Sequence, residues 1–324
     1  MIISKTPLRL SLFGGGTDLP EFFAQSTGAV VSFAINKYIY VSVNEKFDGR
    51  TRVSYSKTEM VDNPKDLEHD LVRETLRYFG LRGLEITSIS DIPGEGSGLG
   101  SSSAFTVSLV TALSAYMGEN MDAHPSFFAE MAYEIERNLC GHPVGKQDHY
   151  AAAHGGLKYY QFNPDDTVNV EPIPLTDKLR TFLEQNVMLF WTGTTRSAKG
   201  ILGEQALAML ETKPYDSALN LADAAILARR NLEDGDVSGL GNALDTAWYW
   251  KKKLATITTA EIDQIYDRAK LAGAQGGKIC GAGGGGFLML IAEPKDQLAV
   301  YEAVGLRRVF FNVEERGSYV VYKG

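Results

Sequence analysis

The 324-residue sequence predicts an α+β fold in two parts. The length allows two packed cores, or one large unit with a distinct half. Strand-like runs come in two sets, residues 8–89 and 187–322. Each set is combined with helical stretches, without the regular strand–helix alternation of a parallel wound sheet. The texture of the chain changes after Asn163-Pro164-Asp165-Asp166, with Pro172 and Pro174 close behind, which divides it into residues 1–165 and 166–324.

Taken in order, Leu8-Arg9-Leu10-Ser11-Leu12-Phe13 alternates apolar and polar residues as a strand does. Residues 29–33 and 38–43 are β-branched and aromatic, and Asn36-Lys37 between them reads as a turn. Residues 52–55 and 84–89 are two further strands, while 66–79 carries Leu67, Leu71, Leu76 and Phe79 at helical spacing. Apolar helix patterns cover 104–117 and 125–139, and a third, short helix ends at His154 before Gly155-Gly156. Residues 157–162 return as a strand. In the second part, 187–192 is strand-like, and 197–271 is helical with interruptions at Pro214 and Asp234-Gly235-Asp236. Residues 278–292 are a glycine run flowing into a strand, and 309–313 and 318–322 close the chain as β segments.

Hydrophobic content of 44% and charged content of 22% are ordinary globular values, which excludes a disordered or fibrous chain. A net charge of −8 argues against a nucleic-acid surface, which needs clustered Lys and Arg; local cations can still hold an anion. Cys140 and Cys280 are too few for a disulfide framework and are expected as small buried hydrophobes in a reducing compartment. Met1-Ile2-Ile3-Ser4-Lys5-Thr6-Pro7 shows no signal-peptide core. The longest apolar runs, 287–292 and around 107–113, fall far short of a membrane span. The expectation is a cytoplasmic enzyme with neither membrane nor nucleic acid as partner.

The most informative segment is Asp91-Ile92-Pro93-Gly94-Glu95-Gly96-Ser97-Gly98-Leu99-Gly100-Ser101-Ser102-Ser103-Ala104, placed after a strand and before a helix. Its glycines let the main chain approach an anion closely. The helix beginning near Ser101 aims unpaired N–H groups and the positive end of its dipole at the same point. The result is a phosphate cradle with serine hydroxyls at its rim. A Walker loop is excluded because no Gly-Lys-Ser/Thr step exists, and a protein kinase because His-Arg-Asp and Asp-Phe-Gly are missing. Gly281-Ala282-Gly283-Gly284-Gly285-Gly286 matches G-x-G-x-x-G, but a strand follows it where a dinucleotide site needs a helix. It reads better as a glycine turn packed against another backbone or a phosphate.

Phosphoryl transfer also needs charge neutralisation and often a carboxylate for the hydroxyl proton. Glu136 falls near a helix end and Asp148 near the start of the next, across a Gly/Pro turn. From composition alone, the simpler reading of Asp148 is an ordinary first-turn residue. His69, His124, His142, His149 and His154 lack zinc-site spacing and read as satisfied or solvent-exposed. No nucleophile elbow with a matching Asp and His series stands out.

Three segments in order resemble the GHMP kinases, the superfamily of galactokinase, homoserine kinase, mevalonate kinase and phosphomevalonate kinase. They are Pro7-Leu8-Arg9-Leu10-Ser11-Leu12-Phe13-Gly14-Gly15-Gly16-Thr17-Asp18-Leu19-Pro20, the loop 93–104, and Lys278-Ile279-Cys280-Gly281-Ala282-Gly283-Gly284-Gly285-Gly286-Phe287. Within the superfamily the chain is most similar to bacterial heptose 7-phosphate kinases. That likeness rests on Gly14-Gly15-Gly16-Thr17-Asp18, Ala34-Ile35-Asn36-Lys37-Tyr38, Gly145-Lys146-Gln147-Asp148-His149-Tyr150 and Thr194-Thr195-Arg196-Ser197-Ala198. Hexose-kinase members carry Gly-Glu-His-Thr-Asp at the first of these, so their Glu and His contacts have no counterpart and a different sugar is expected.

The resemblance implies an S5-like N-terminal domain, a ferredoxin-like C-terminal domain and an active site in the cleft between them. It implies ATP and Mg2+ as cofactors, a sugar phosphate as small-molecule partner, and it is compatible with a homodimer. Asp148 takes the place of the catalytic aspartate and Arg9 that of the basic residue beside it. Ser102 and Glu136 correspond to magnesium ligands. The loop from Pro93 to Ser103 holds ATP, and Gly281, Gly283, Gly284 and Gly285 form the third motif. Gly15, Gly16, Thr17 and Asp18 face the sugar, with Lys146, Arg196 and Lys199 as candidates for its existing phosphate. For a heptose 7-phosphate, transfer is expected at the C1 hydroxyl to give the 1,7-bisphosphate. Fucokinase-like or other free-sugar kinases, a diphosphate decarboxylase and a sugar-sensing binding protein on the same fold are the alternatives.

Overall fold

The alternating segment around Arg9 belongs to a twelve-residue strand, β1 (Ile2–Phe13). The computed structural model describes residues 1–93, 96–119, 124–194 and 198–324, so Gly94 and Arg196 lie outside the described residues. After β1 come α1 (Pro20–Phe23), β2 (Gly28–Glu45), β3 (Thr51–Ser54), β4 (Thr58–Val61), α2 (Asp70–Phe79) and β5 (Leu84–Ser90). Beyond the Gly/Ser loop follow α3 (Ser101–Tyr116), α4 (Pro125–Tyr133), α5 (Gln147–His154), β6 (Leu157–Phe162) and β7 (Val168–Pro172). The chain continues through α6 (Asp177–Asn186), β8 (Val187–Trp191), α7 (Ala198–Ala208), α8 (Thr212–Glu233), α9 (Leu240–Lys251) and α10 (Ala260–Leu271). It closes with β9 (Gly276–Ile279), β10 (Phe287–Ile291), α11 (Gln297–Val304), β11 (Arg307–Val309) and β12 (Tyr319–Lys323).

Two sheets result. In the larger, β12, β1, β2, β5, β3 and β4 lie side by side, and β6 and β7 extend from the other half of β2. The smaller has the order β11, β8, β10, β9. Among the described pairings only β3 with β5 is parallel, as an α+β fold requires. Helix α3 packs on β1 and β2 and is buried nearly all round. Val107, Leu109, Val110 and Leu113 are fully shielded there, each side chain stabilising the fold by about 2 kcal/mol. Polar residues of this helix bond within the core: Ser4 Oγ donates to the Ser108 carbonyl at 2.7 Å and Thr111 Oγ1 to the Val107 carbonyl at 2.8 Å. Among the described residues, no helix is long and apolar enough to cross a membrane.

Several elements differ from expectation. Asn36-Lys37 is not a turn: β2 runs through it as one strand of 18 residues. The β1–β2 register jumps between Pro7 and Leu8, leaving Asn36 and Lys37 unmatched in a bulge. Pro7 has no N–H to donate to the ladder, so pairing slips there without breaking the strand. The half before the bulge pairs with β6 and the half after it with β5. The turn at 163–166 is the hairpin between β6 and β7, and β12 pairs with β1, so a division after residue 165 falls inside one sheet. The helix expected over 125–139 changes form after Tyr133, with Glu134–Leu139 winding as a π-helix. Cys140 N accordingly donates to the Ile135 carbonyl, five residues back, at 2.9 Å. Pro214, expected as an interruption, sits in the first turn of α8, where a missing N–H is tolerated. Of 309–313, only Val309 belongs to a strand, and Val313 forms an isolated bridge to Ile35.

Candidate active site

Successive residues of a strand point to opposite faces, so Arg9 leaves the core that Leu8 and Leu10 enter. Its guanidinium is buried and takes Asp148 as a fork: Nε donates to Oδ1 and Nη2 to Oδ2, both at 2.7 Å. A third donor, Nη1, reaches the Gly98 carbonyl at 2.7 Å, and the Arg9 N–H binds the Leu99 carbonyl at 3.2 Å. Asp148 stands in the first turn of α5 with 24% of its side chain exposed to the cleft. One arginine thus locks β1, the Gly/Ser loop and α5 together around a single accessible carboxylate.

The loop reaches this point through backbone conformations that side chains resist. Gly100 has φ +76°, and a Cβ on it would lie 3.3 Å from the Asp148 carboxylate. Gly98 has φ +78°, and its Cβ would meet the Cys280 carbonyl oxygen at 2.3 Å. From the other side, a Cβ on Gly281 would fall 2.6 Å from the Gly98 Cα. The third glycine motif therefore seats the loop, backbone on backbone, and Phe287 N donates to the Ser97 carbonyl at 3.2 Å. Ser97 and Ser101 share a hydroxyl–hydroxyl bond of 2.6 Å. The first N–H groups of α3 have no acceptor within the helix and face the cleft.

Ser102 Oγ donates to Glu136 Oε1 at 2.6 Å, and His149 Nε2 lies 2.8 Å from Oε2. The π turn carries Glu136 to this fully buried position. Burial opposes its charge, yet the neighbouring His142 and His149 imidazoles and Ser102 outweigh it and hold the carboxyl below the usual range. His142 Nε2 is 2.7 Å from Asp70 Oδ2 and 2.7 Å from Lys199 Nζ. The Asp70 and Glu136 carboxylates push His142 up to about 9, against burial.

On the opposite wall, Asp18 is buried and accepts from Gly16 N at 2.8 Å, Gln147 Nε2 at 2.9 Å and Gln147 N at 3.2 Å. Burial first, then the Asp148 charge, raises its pKa, while the Gly16 and Gln147 N–H groups oppose the rise. Lys251, at the end of α9, donates to the Gly15 carbonyl at 2.6 Å. A cavity of about 470 Å³ joins these walls, lined by Arg9, Gly16, Asp18, Ser102, Glu136, Asp148, Lys199 and Lys251 among others.

The structure does not bring every expected residue here. The Lys146 ammonium is buried away from the cleft against Glu130 at 3.0 Å and Asp166 at 3.0 Å, so no donor remains aimed at a ligand. Thr17 Oγ1 donates to the Gly14 carbonyl at 2.8 Å and serves the turn. Leu99 is in the core, and neither Pro93 nor Gly15 lines the cavity. In the third motif Gly281 borders the cavity, but Gly283 and Gly284 pack on Ile257 and Gly285 on Thr194. Cys280 is buried as expected, its thiol pushed up to about 11 by burial, whereas Cys140 is only half-buried. Sequence reasoning missed Lys251, Gln147 and Asp70. Lys251 ends a helix after Trp248-Tyr249-Trp250, where a lysine is ordinarily a solvated partner of the helix dipole.

Comparison with known proteins agrees with this geometry. Residues 68–156 match the GHMP kinases N terminal domain and residues 228–307 the GHMP kinases C terminal family. The chain is 30% identical over 317 residues to the D-glycero-alpha-D-manno-heptose 7-phosphate kinase of Campylobacter jejuni, covering 94% of this chain and 93% of that one. A crystal structure of a D-glycero-D-manno-heptose 1-phosphate kinase from Bacteroides thetaiotaomicron superposes with a TM-score of 0.81 at 27% identity, covering 100% of both chains. A putative sugar kinase from Campylobacter jejuni superposes with a TM-score of 0.77 at 27% identity, covering 98% of this chain and 97% of that one.

Proposed function

Because the chain belongs to the GHMP kinases, and so is a phosphotransferase with an alcohol group as acceptor, we propose that it phosphorylates a heptose phosphate at the expense of ATP. The acceptor is the C1 hydroxyl of D-glycero-D-manno-heptose 7-phosphate and the product is the 1,7-bisphosphate. The carrying observation is the Arg9–Asp148 fork, set between the α3 N-terminus and Asp18. Asp148 takes the proton of the attacking hydroxyl, and Arg9 fixes the carboxylate and offsets its charge. The N–H groups at the start of α3 and the loop serines hold the phosphates of ATP. Asp18 accepts hydrogen bonds from sugar hydroxyls.

Mg2+ fits the Ser102–Glu136 pair. Both present hard oxygen donors 2.6 Å apart, and this ion takes one or two protein oxygens with the rest from phosphate and water. When bound it neutralises phosphate charge. His149 orients the Glu136 carboxylate through its other oxygen. Replacing Glu136 by Gln is expected to raise the Mg2+ concentration for half-maximal rate by about ten- to a hundredfold. The check is a magnesium titration at saturating ATP; an unchanged midpoint removes Glu136 from the metal site.

The names of the two heptose kinases put different phosphate positions on the sugar, and a 7-phosphate acceptor phosphorylated at C1 gives the same bisphosphate as a 1-phosphate acceptor phosphorylated at C7. An acceptor panel therefore decides better than product analysis. Coupled ADP release is expected to be fastest, by kcat/KM, with the heptose 7-phosphate, ahead of the heptose 1-phosphate, free heptose and hexoses. Preferred turnover of a free hexose overturns the heptose assignment and leaves the kinase standing.

A further inference from the structure

Lys251 is a charged group that the reaction described above does not use. It comes from α9 in the second half of the chain, yet its side chain lies against the glycine turn of the first. Nζ donates to the Gly15 carbonyl at 2.6 Å and to Gln205 Oε1 at 3.2 Å, and a Cβ on Gly16 would sit 2.8 Å from it. Gln205 in turn donates to the Ala282 carbonyl at 3.0 Å, so the contact ties α7, α9, the glycine turn and the third motif together. An ammonium has three N–H donors, and two are accounted for. Lys251 borders the cavity beside Asp18 without forming a direct ion pair to a carboxylate among the described residues. Burying an ammonium without such a partner is costly, and a solvated lysine would serve packing equally well. A second feature of the same wall points to a ligand: Gln147 Oε1, shielded from solvent, has no hydrogen-bond partner.

We propose that Lys251 binds the acceptor, presenting its remaining N–H to a sugar hydroxyl in the pocket formed with Asp18 and Gln147. Lys251 and Gln147 then supply a donor and an acceptor that the sugar satisfies together, while the Gly15 bond sets the height of the turn carrying Asp18. The second half of the chain thereby takes part in choosing the sugar. The assignment rests on reading the cleft as a kinase site.

The test separates acceptor from nucleotide. For Lys251→Met, the acceptor KM is expected to rise about ten- to a hundredfold, the loss of one charged hydrogen bond, with the ATP KM unchanged. A packing role would instead lower stability and shift both constants or neither. Should the variant fold poorly, the wild-type pH profile carries the test. Burial, opposed by the Asp18 charge, pushes Lys251 down to about 8, so the ammonium is present below that pH and is lost above it. The acceptor KM is therefore expected to climb above about pH 8 while the ATP KM stays flat. Arg9, Asp18, Asp148 and Lys278 are the charged groups facing it; of these Lys278 is pushed down to about 7 by burial and the Lys251 charge. A wild-type limb centred near pH 7 instead of about 8, or one that persists in Lys251→Met, belongs to Lys278 and overturns the assignment, as does an unchanged acceptor KM. Wild-type protein that turns over no sugar overturns the kinase reading itself, and the Lys251 assignment with it.

Discussion

Asp148→Asn is expected to lower kcat by about 10²- to 10⁴-fold, the range for loss of a positioned proton acceptor. The substituted amide keeps an oxygen for one Arg9 donor and preserves the shape of the site. It cannot take the acceptor proton. The same change leaves the buried Arg9 guanidinium without its carboxylate, so stability falls as well, by about 3 kcal/mol. The two effects are separable. Rates are read well below the melting temperature, and nucleotide affinity is measured alongside, since the α3 N-terminus and Ser102 are untouched. Retained ATP binding with collapsed turnover is the expected result. A kcat within tenfold of wild type would show that Asp148 does not handle the proton.

Gly98→Ala is expected to cost about 2–5 kcal/mol and to weaken ATP binding together with folding. Two penalties combine there: φ is +78°, and the new Cβ would meet the Cys280 carbonyl oxygen at 2.3 Å. That oxygen is backbone, held by the third motif, and cannot rotate away. Gly235→Ala provides the control, because Gly235 has φ +67° but nothing within 4 Å. It should show the left-handed strain alone, about 1–2 kcal/mol. Urea unfolding of both variants measures the difference. Equal midpoints would show that the third motif does not press on the loop.

The parts of the site that were legible in the sequence are those encoded by neighbours along the chain. Glycines 96, 98 and 100 announce a left-handed, closely approachable backbone, and the three serines before an apolar run announce a helix start. The strand around Arg9 and most helices were readable from periodicity. Asp148 could be placed at a helix N-terminus, but its partner could not be identified from composition. Motif order along the chain, through the GHMP resemblance, paired it with Arg9.

Other features depended on which distant segments meet. The residue pattern of 29–43 is the same whether Asn36-Lys37 turns back or bulges; β5 and β6, pairing with the two halves of one strand, decide it. β12, near the end of the chain, pairs with β1 near its start, a contact that no local pattern announces. The π turn that delivers Glu136 to Ser102 has no composition of its own. The lysines make the contrast sharpest: Lys146, beside Asp148 in sequence, is consumed by Glu130 and Asp166, and Lys251, more than a hundred residues away, borders the cavity with Asp18. Backbone preference and capping act over a few residues and are written locally. The direction and partner of a long charged side chain are set by burial and Coulomb terms that exist only once the chain has folded.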